Sequence, residues 1–236
     1  MNTPLTRSNV TTTLLLEQID QQIATKHVLN HPFYQAWNQG TLTREALQDY
    51  ATQYYQHVAA FPTYLSAVHS NTADANARRV LLQNLMEEEA GTPNHPELWL
   101  DFAEGVGVSR ETVLNTPAQP ETTATIETFR TLCRNGSSTD GIAALYAYES
   151  QIPEVALSKI AGLQKHYGIQ DEATLRYFAV HVEADEVHRA EERTLLAQHI
   201  TSEAQAATAL QASDRALDAI WNLLSSVCHR HNITCA

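Results

Sequence analysis

A chain of 236 residues is long enough for one well-buried core, and 43% apolar against 18% charged residues is a globular balance, not a disordered one. A formal charge of −12 excludes the basic clusters that phosphate-backbone binding needs and disfavours an anionic membrane surface, so neither nucleic acid nor membrane is expected as a partner. No apolar run approaches the ~20 residues that span a bilayer. The start Met1-Asn2-Thr3-Pro4 lacks a signal-peptide core, and Cys133, Cys228 and Cys235 form no CxxC pair, so a reducing, cytoplasmic setting is expected.

Residues 1–11 are polar and are expected to be loose. From Thr13 to Leu29 the residues Leu14, Leu15, Leu16, Ile19, Ile23 and Val28 recur at mostly helical intervals. His31 to Gly40 predicts a short helix, with Pro32 in its first turn and Gly40 at its end. Thr43 caps a long helix to about Ser70 that carries Tyr50, Tyr54, Tyr55, His57, Phe61, Tyr64 and His69; Pro62 predicts a kink in it. Asp74 opens the next helix, which stops at Ala90-Gly91, and His95 to Gly107 forms another with Trp99 and Phe102 facing inward. A short helical turn and a polar loop fill 108–120, and a helix spans Pro120 to Arg134. Asp140 is a cap candidate for a long helix from Gly141 to Tyr167, interrupted by Pro153. Asp171 caps a helix to about Ile200, and Ser202 to Ser226 forms the last. Nothing alternates with period two. The chain reads as one all-α domain over 12–227 with a tail at 228–236, a bundle of about seven principal helices.

The chemistry starts in His181-Val182-Glu183-Ala184-Asp185-Glu186-Val187-His188. On a helix, positions +4 and +7 fall at roughly 40° and −20° from the start, so His181, Asp185 and His188 share one face. Alone, that face fits a solvated polar helix as well as a metal site. Glu149 adds to it, because it sits within the apolar stripe of Ile142, Leu145, Ile152 and Ala156, and a buried carboxylate must be paired, protonated or bound to metal. Pro153, four residues on, frees the Glu149 carbonyl from its helical bond. Of Glu87-Glu88-Glu89, Glu88 shares a side with Leu81 and Leu85, Glu89 lies near it, and Glu87 points to solvent. His95 follows a Gly91/Pro93 break that helical geometry cannot bridge. Three carboxylates (Glu88, Glu149, Asp185) and three imidazoles (His95, His181, His188) on four segments suit two oxygen-reactive ions such as iron or manganese. The paired Glu-x-x-His pattern of ferritin-like bundles is missing at these positions. Glu192, one turn after His188, is a candidate acceptor behind a ligand. His57 and His69 read as satisfied core histidines, and Tyr50, Tyr54 and Tyr55 as packing residues.

Three stretches, Asn84-Leu-Met-Glu-Glu-Glu-Ala-Gly-Thr-Pro-Asn-His95, Ala144-Leu-Tyr-Ala-Tyr-Glu-Ser-Gln-Ile-Pro153 and His181-x3-Asp185-x2-His188, together resemble the CADD-like proteins. These are haem-oxygenase-like dimetal oxidases related to PqqC and TenA. The resemblance runs from about Leu15 to about Leu196 and takes in His31-x-Phe33-Tyr34 and Tyr64-Leu-Ser-Ala-x-His69-Ser70. It implies a seven-helix haem-oxygenase-like bundle whose metal ligands fall on Glu88, His95, Glu149, His181, Asp185 and His188. It also selects Glu88 over its acidic neighbours.

The implied activity is oxygen-dependent synthesis of 4-aminobenzoate for folate, with two iron ions or a manganese–iron pair and a reductant. The protein's own Tyr34 would supply the ring and its own Lys159 the nitrogen, in a single turnover that needs no external aromatic substrate. Tyr148, beside Glu149, and Tyr177, one turn before His181, are candidates to relay an electron or hydrogen-bond a ligand. No organic cofactor site is expected, and a homodimer is left open. Three other functions compete. An oxidase of an external small molecule keeps all six ligands and makes Tyr34 and Lys159 ordinary. A thiamin-degrading TenA-like hydrolase would need a nucleophilic cysteine, which neither Cys133 nor the tail cysteines support. A non-enzymatic binder of death domains would rest on the acidic surface alone.

Overall fold

The computed structural model describes residues 7–234, and regular structure among them is wholly helical. The order is α1 (Arg7–Thr25), a 3-10 turn (Val28–Asn30), α2 (Pro32–Gln39), α3 (Arg44–Asn71), α4 (Ala75–Glu89), α5 (His95–Gly105), α6 (Arg110–Asn115), α7 (Pro120–Asn135), α8 (Ser138–Glu149), α9 (Ile152–His166), α10 (Glu172–His199) and α11 (Glu203–Arg230). The all-α expectation holds, and the caps fall where short polar side chains allow. Thr43, Asp74 and Asp171 each accept a backbone N–H at the start of their helix, and Gly40 closes α2 at φ 71°.

Some details differ from the expectation. There are eleven helices among the described residues against about seven expected: the long predicted stretches number eight, the one over 141–167 breaks at Ser150-Gln151 into α8 and α9, and the short α2 and α6 count separately. Pro153 therefore sits in the first turn of α9, where its missing N–H costs nothing. Helix α3 runs as one helix to Asn71 with Pro62 inside it, as expected. Ser137, not Asp140, caps α8; Asp140 is the reciprocal partner, its carboxylate accepting the Ser137 N–H at 2.9 Å. Within α1, Leu15, Leu16, Ile19 and Ile23 are buried, while Leu14 faces solvent. Residues 1–6 and 235–236 of the expected N-terminal segment and tail, Cys235 included, lie outside the described residues, and α1 already begins at Arg7.

Helix α8 lies at the centre, packed on α11, α10, α7 and α3. It is buried almost all round, from Ile142 through Ala147, as a central helix must be. Its buried last residue is Glu149. Helix α10 packs on α9, α5 and α8, and so carries His181, Asp185 and His188 inward. A dense set of rings fills the other half of the core, with Phe33, Tyr34, Trp37, Tyr50, Tyr64, Trp99 and Phe102 at most 2% exposed. Among the described residues, no helix is long and apolar enough to cross a membrane.

Candidate metal centre

Two groups of three ligand-type side chains face each other in the buried interior. Glu88, His95 and His181 form one, and Glu149, Asp185 and His188 the other; within each, the ligand atoms lie within 4.8 Å of one another. Four helices contribute. The end of α4 brings Glu88, the capping box of Asn94 and Glu97 starts α5 at His95, the end of α8 brings Glu149, and one face of α10 brings the remaining three. All six candidate ligands are buried, and the loop that helical geometry could not cross returns His95 to 3.0 Å from the Glu88 carboxylate.

In the first group, His181 Nδ1 donates to the Tyr177 carbonyl at 2.5 Å, which leaves Nε2, 3.9 Å from Glu88 Oε1, as a free lone pair. His95 Nδ1 approaches Glu88 but makes no hydrogen bond. In the second, His188 Nδ1 lies 3.3 Å from Asp185 Oδ1 and 3.6 Å from Glu149 Oε1. Asn84 Nδ2 donates to that same Glu149 oxygen at 2.9 Å. Glu149 Oε2, Asp185 Oδ2 and His95 Nδ1 are buried without any hydrogen-bond partner. Buried polar atoms are almost always satisfied, so this concentration of orphaned lone pairs on convergent carboxylates and imidazoles fits cations held between them. Two positions for a hard-to-borderline metal of the iron or manganese type match this oxygen and nitrogen donor set.

The electrostatics agree. Burial alone would raise Glu88, yet the facing imidazoles of His181 and His95 outweigh it and hold the carboxyl at about 2. Burial would likewise lower His188, but Asp185 and Glu149 push it up to about 11. Burial raises Asp185 to about 6 against the pull of His188 and His181. The second group carries more negative charge than one histidine can balance.

Other residues depart from their expected places. Glu87 is not simply solvated: its Oε2 lies 3.0 Å from His188 Nε2. Glu192 is buried but is not an acceptor for His188; both its oxygens are unpartnered, and burial and then the Glu149 carboxylate hold it well above the usual range. His57 is fully buried with neither ring nitrogen satisfied, and burial lowers it to about 3, so it stands as a neutral ring among Tyr54, Phe61, Tyr64, Phe129 and Tyr148. His69 is half-buried at the end of α3.

Lys159 is buried, and burial lowers it to about 7. Its Nζ donates to Tyr50 Oη at 2.8 Å, and Tyr50 Oη lies 2.9 Å from Tyr34 Oη. The rings of Tyr34, Tyr50, Tyr54, Trp99 and Phe178 surround the amine with centroids at 5.0 to 5.5 Å. From Tyr50 the ring contacts pass to Tyr54 at 5.0 Å, Trp99 at 5.1 Å, Tyr177 at 4.8 Å and His181 at 4.3 Å. A side branch joins Tyr54 Oη to Tyr148 Oη at 3.1 Å. The expected pair Tyr34 and Lys159 is thus brought together through Tyr50, which the sequence had assigned to packing. A cavity of about 10 Å³ adjoins both ligand groups, lined among others by Tyr148, Tyr177, Phe61 and Val58, with room for about one water-sized molecule.

The sequence model of iron-containing redox enzymes matches residues 48–221. The chain belongs to that family. A 4-aminobenzoate synthase of Chlamydia pneumoniae is 44% identical over 211 residues, covering 89% of this chain and 93% of the relative. Among solved structures, a domain of unknown function with a haem-oxygenase-like fold from Shewanella denitrificans superposes with a TM-score of 0.79 at 18% identity, covering 93% of each chain. A CADD-like protein of unknown function from Nostoc punctiforme gives 0.76 at 22% identity, over 93% of this chain and 98% of its own. The haem-oxygenase-like bundle and the resemblance to CADD-like proteins are borne out, and the protein is a redox enzyme. Cys133 is not placed as a nucleophile: it is buried, burial raises its thiol to about 12, and it belongs to neither ligand group.

Proposed function

We propose that this enzyme makes 4-aminobenzoate from its own side chains. Glu88, His95 and His181 would hold one ion, and Glu149, Asp185 and His188 a second, either iron in both places or manganese paired with iron. When bound, these ions supply oxygen activation with electrons from an external reductant. The carrying observation is the short chain Tyr34–Tyr50–Lys159, which joins a phenol and an amine in a dry aromatic compartment.

4-Aminobenzoate is a benzene ring with one carboxyl carbon and a para nitrogen. From tyrosine, the Cα–Cβ bond must break, Cβ must leave as the carboxyl carbon, and the phenol oxygen must give way to nitrogen. Tyr34 has the ring and Cβ; Lys159 has the nitrogen. Burial supports a free amine at Lys159 near neutral pH, the form that acts as a nucleophile. Tyr50 positions both groups. Tyr177 and Tyr148 connect this compartment with the candidate metal centre and suit the relay of an electron from Tyr34.

Mass spectrometry of protein before and after one aerobic turnover tests this. A spent chain altered at Tyr34 and Lys159, with at most one 4-aminobenzoate per chain, is expected. An unaltered chain that keeps turning over would instead favour an external substrate.

A further inference from the structure

We infer that Glu87 is a positioning residue for the second ligand group: it orients His188 and makes retention of the ion there depend on a side chain that reaches the surface. This rests on the reading that the six buried residues hold two ions.

The geometry is specific. His188 has its two ring nitrogens on opposite duties. Nδ1 faces Asp185 and Glu149 at 3.3 and 3.6 Å, while Nε2 faces Glu87 Oε2 at 3.0 Å. A carboxylate accepts only, so Glu87 holds a proton on Nε2 and Nδ1 is the ring nitrogen left to give its lone pair to an ion in the ligand group. The partner of His181 is a neutral carbonyl, that of Tyr177. His188 thus has an anion behind it in addition to the carboxylates of its own group, where His181 has a carbonyl. An anionic acceptor makes the imidazole a stronger donor to a cation than a carbonyl does. The Glu87 side chain is 39% exposed while that of His188 is 3% exposed, so this pair is a direct connection from solvent to the candidate centre. The neighbouring acids do not duplicate it: Glu88 turns inward to the other group, and Glu89 is exposed.

The test compares Glu87→Ala, Glu87→Gln and, as a charge control, Glu89→Ala in the full chain loaded with Fe(II) or Mn(II). Metal analysis after a graded chelator challenge reads ion retention, histidine ¹⁵N NMR of protein loaded with diamagnetic Zn(II) reads whether His188 keeps its proton on Nε2, and circular dichroism checks the fold. The expected result is weaker retention of one of the two ions by about 10- to 100-fold in Glu87→Ala, with the second ion, helical content and Glu89→Ala unchanged. Glu87→Gln, which keeps an acceptor, recovers part of the retention and most of the Nε2–H tautomer. Equal retention of both ions in Glu87→Ala, or equal weakening of both, overturns the inference while leaving two bound ions in the parent. A parent chain that never holds two ions removes the six-ligand reading, and this inference with it.

Discussion

Lys159 shows how a single residue's surroundings set its chemistry. Its ordinary value of 10.5 falls to about 7 because burial penalises the ammonium form. Between those values the unfolded chain binds the extra proton, so this residue makes stability rise with pH from about 7 to about 10.5; below 7 its penalty is constant. Lys159→Met is therefore expected to stabilise the fold more at pH 6 than at pH 9, by about 2–3 kcal/mol. Urea unfolding of both proteins at both pH values measures it, and an equal effect at each pH would mean that Lys159 keeps its proton in the core. Glu149 is the corresponding test residue in the candidate centre. Glu149→Ala removes the acceptor of Asn84 Nδ2 and one oxygen donor of the second group. Metal analysis is expected to find at least one ion fewer per chain, together with loss of 4-aminobenzoate; an unchanged metal content would show that Glu149 is only a buried acid.

At the scale of elements, the approach of α9 to α2 decides whether Lys159 and Tyr34 meet. Gly162 permits it: a Cβ there would sit 2.5 Å from Cδ1 of Trp37, whose Nε1 donates to the Lys159 carbonyl at 3.3 Å. Gly162→Ala is expected to cost about 1–3 kcal/mol by overpacking and to lower the yield of altered chains without changing metal content. Thermal unfolding and mass spectrometry together separate these effects. The capping box of α5 has the same importance on the other side. Asn94 accepts the Glu97 N–H at 3.0 Å and so sets the start of the helix at His95. Asn94→Ala should lower stability by about 1 kcal/mol and loosen the ion held with Glu88 and His181 more than its neighbour.

At the scale of the molecule, the candidate centre is a concentration of buried charge that folding alone does not compensate. Glu149, Asp185, Glu192 and Glu88 lie in the interior, four carboxylates against the three imidazoles His95, His181 and His188. Burying unpaired carboxylates is costly, and a cation that binds only the folded chain adds stability in proportion to the logarithm of its concentration over its dissociation constant. Removing metal with a chelator is expected to lower the melting temperature by several degrees while far-UV circular dichroism stays helical, because α8 and the aromatic core do not depend on the ions. A melting temperature indifferent to chelator would count against cations at these carboxylates.

Helical periodicity and caps were legible in the chain itself, since Thr43, Asp74 and Asp171 act on their own backbone within three residues. So was the shared face of His181, Asp185 and His188, because spacing along one helix is a local property. Glu149 was legible as a carboxylate in an apolar stripe. His95 was legible as a nearby imidazole but not placeable across its loop, and resemblance, not spacing, singled out Glu88 among its acidic neighbours and chose Tyr34 and Lys159. What only tertiary structure decided lies between elements. The break at Ser150-Gln151, the return of His95 to Glu88, the Tyr50 bridge from Lys159 to Tyr34 and the contact of Glu87 with His188 join residues from 16 to 109 positions apart, or depend on how two helices leave a turn. Glu87 is the clearest case: its own helix turns it toward solvent, and only the packing of α4 beside α10 gives its carboxylate a partner. A local pattern fixes which side of a helix a residue occupies, whereas the partner it meets there is set by the packing of the whole bundle.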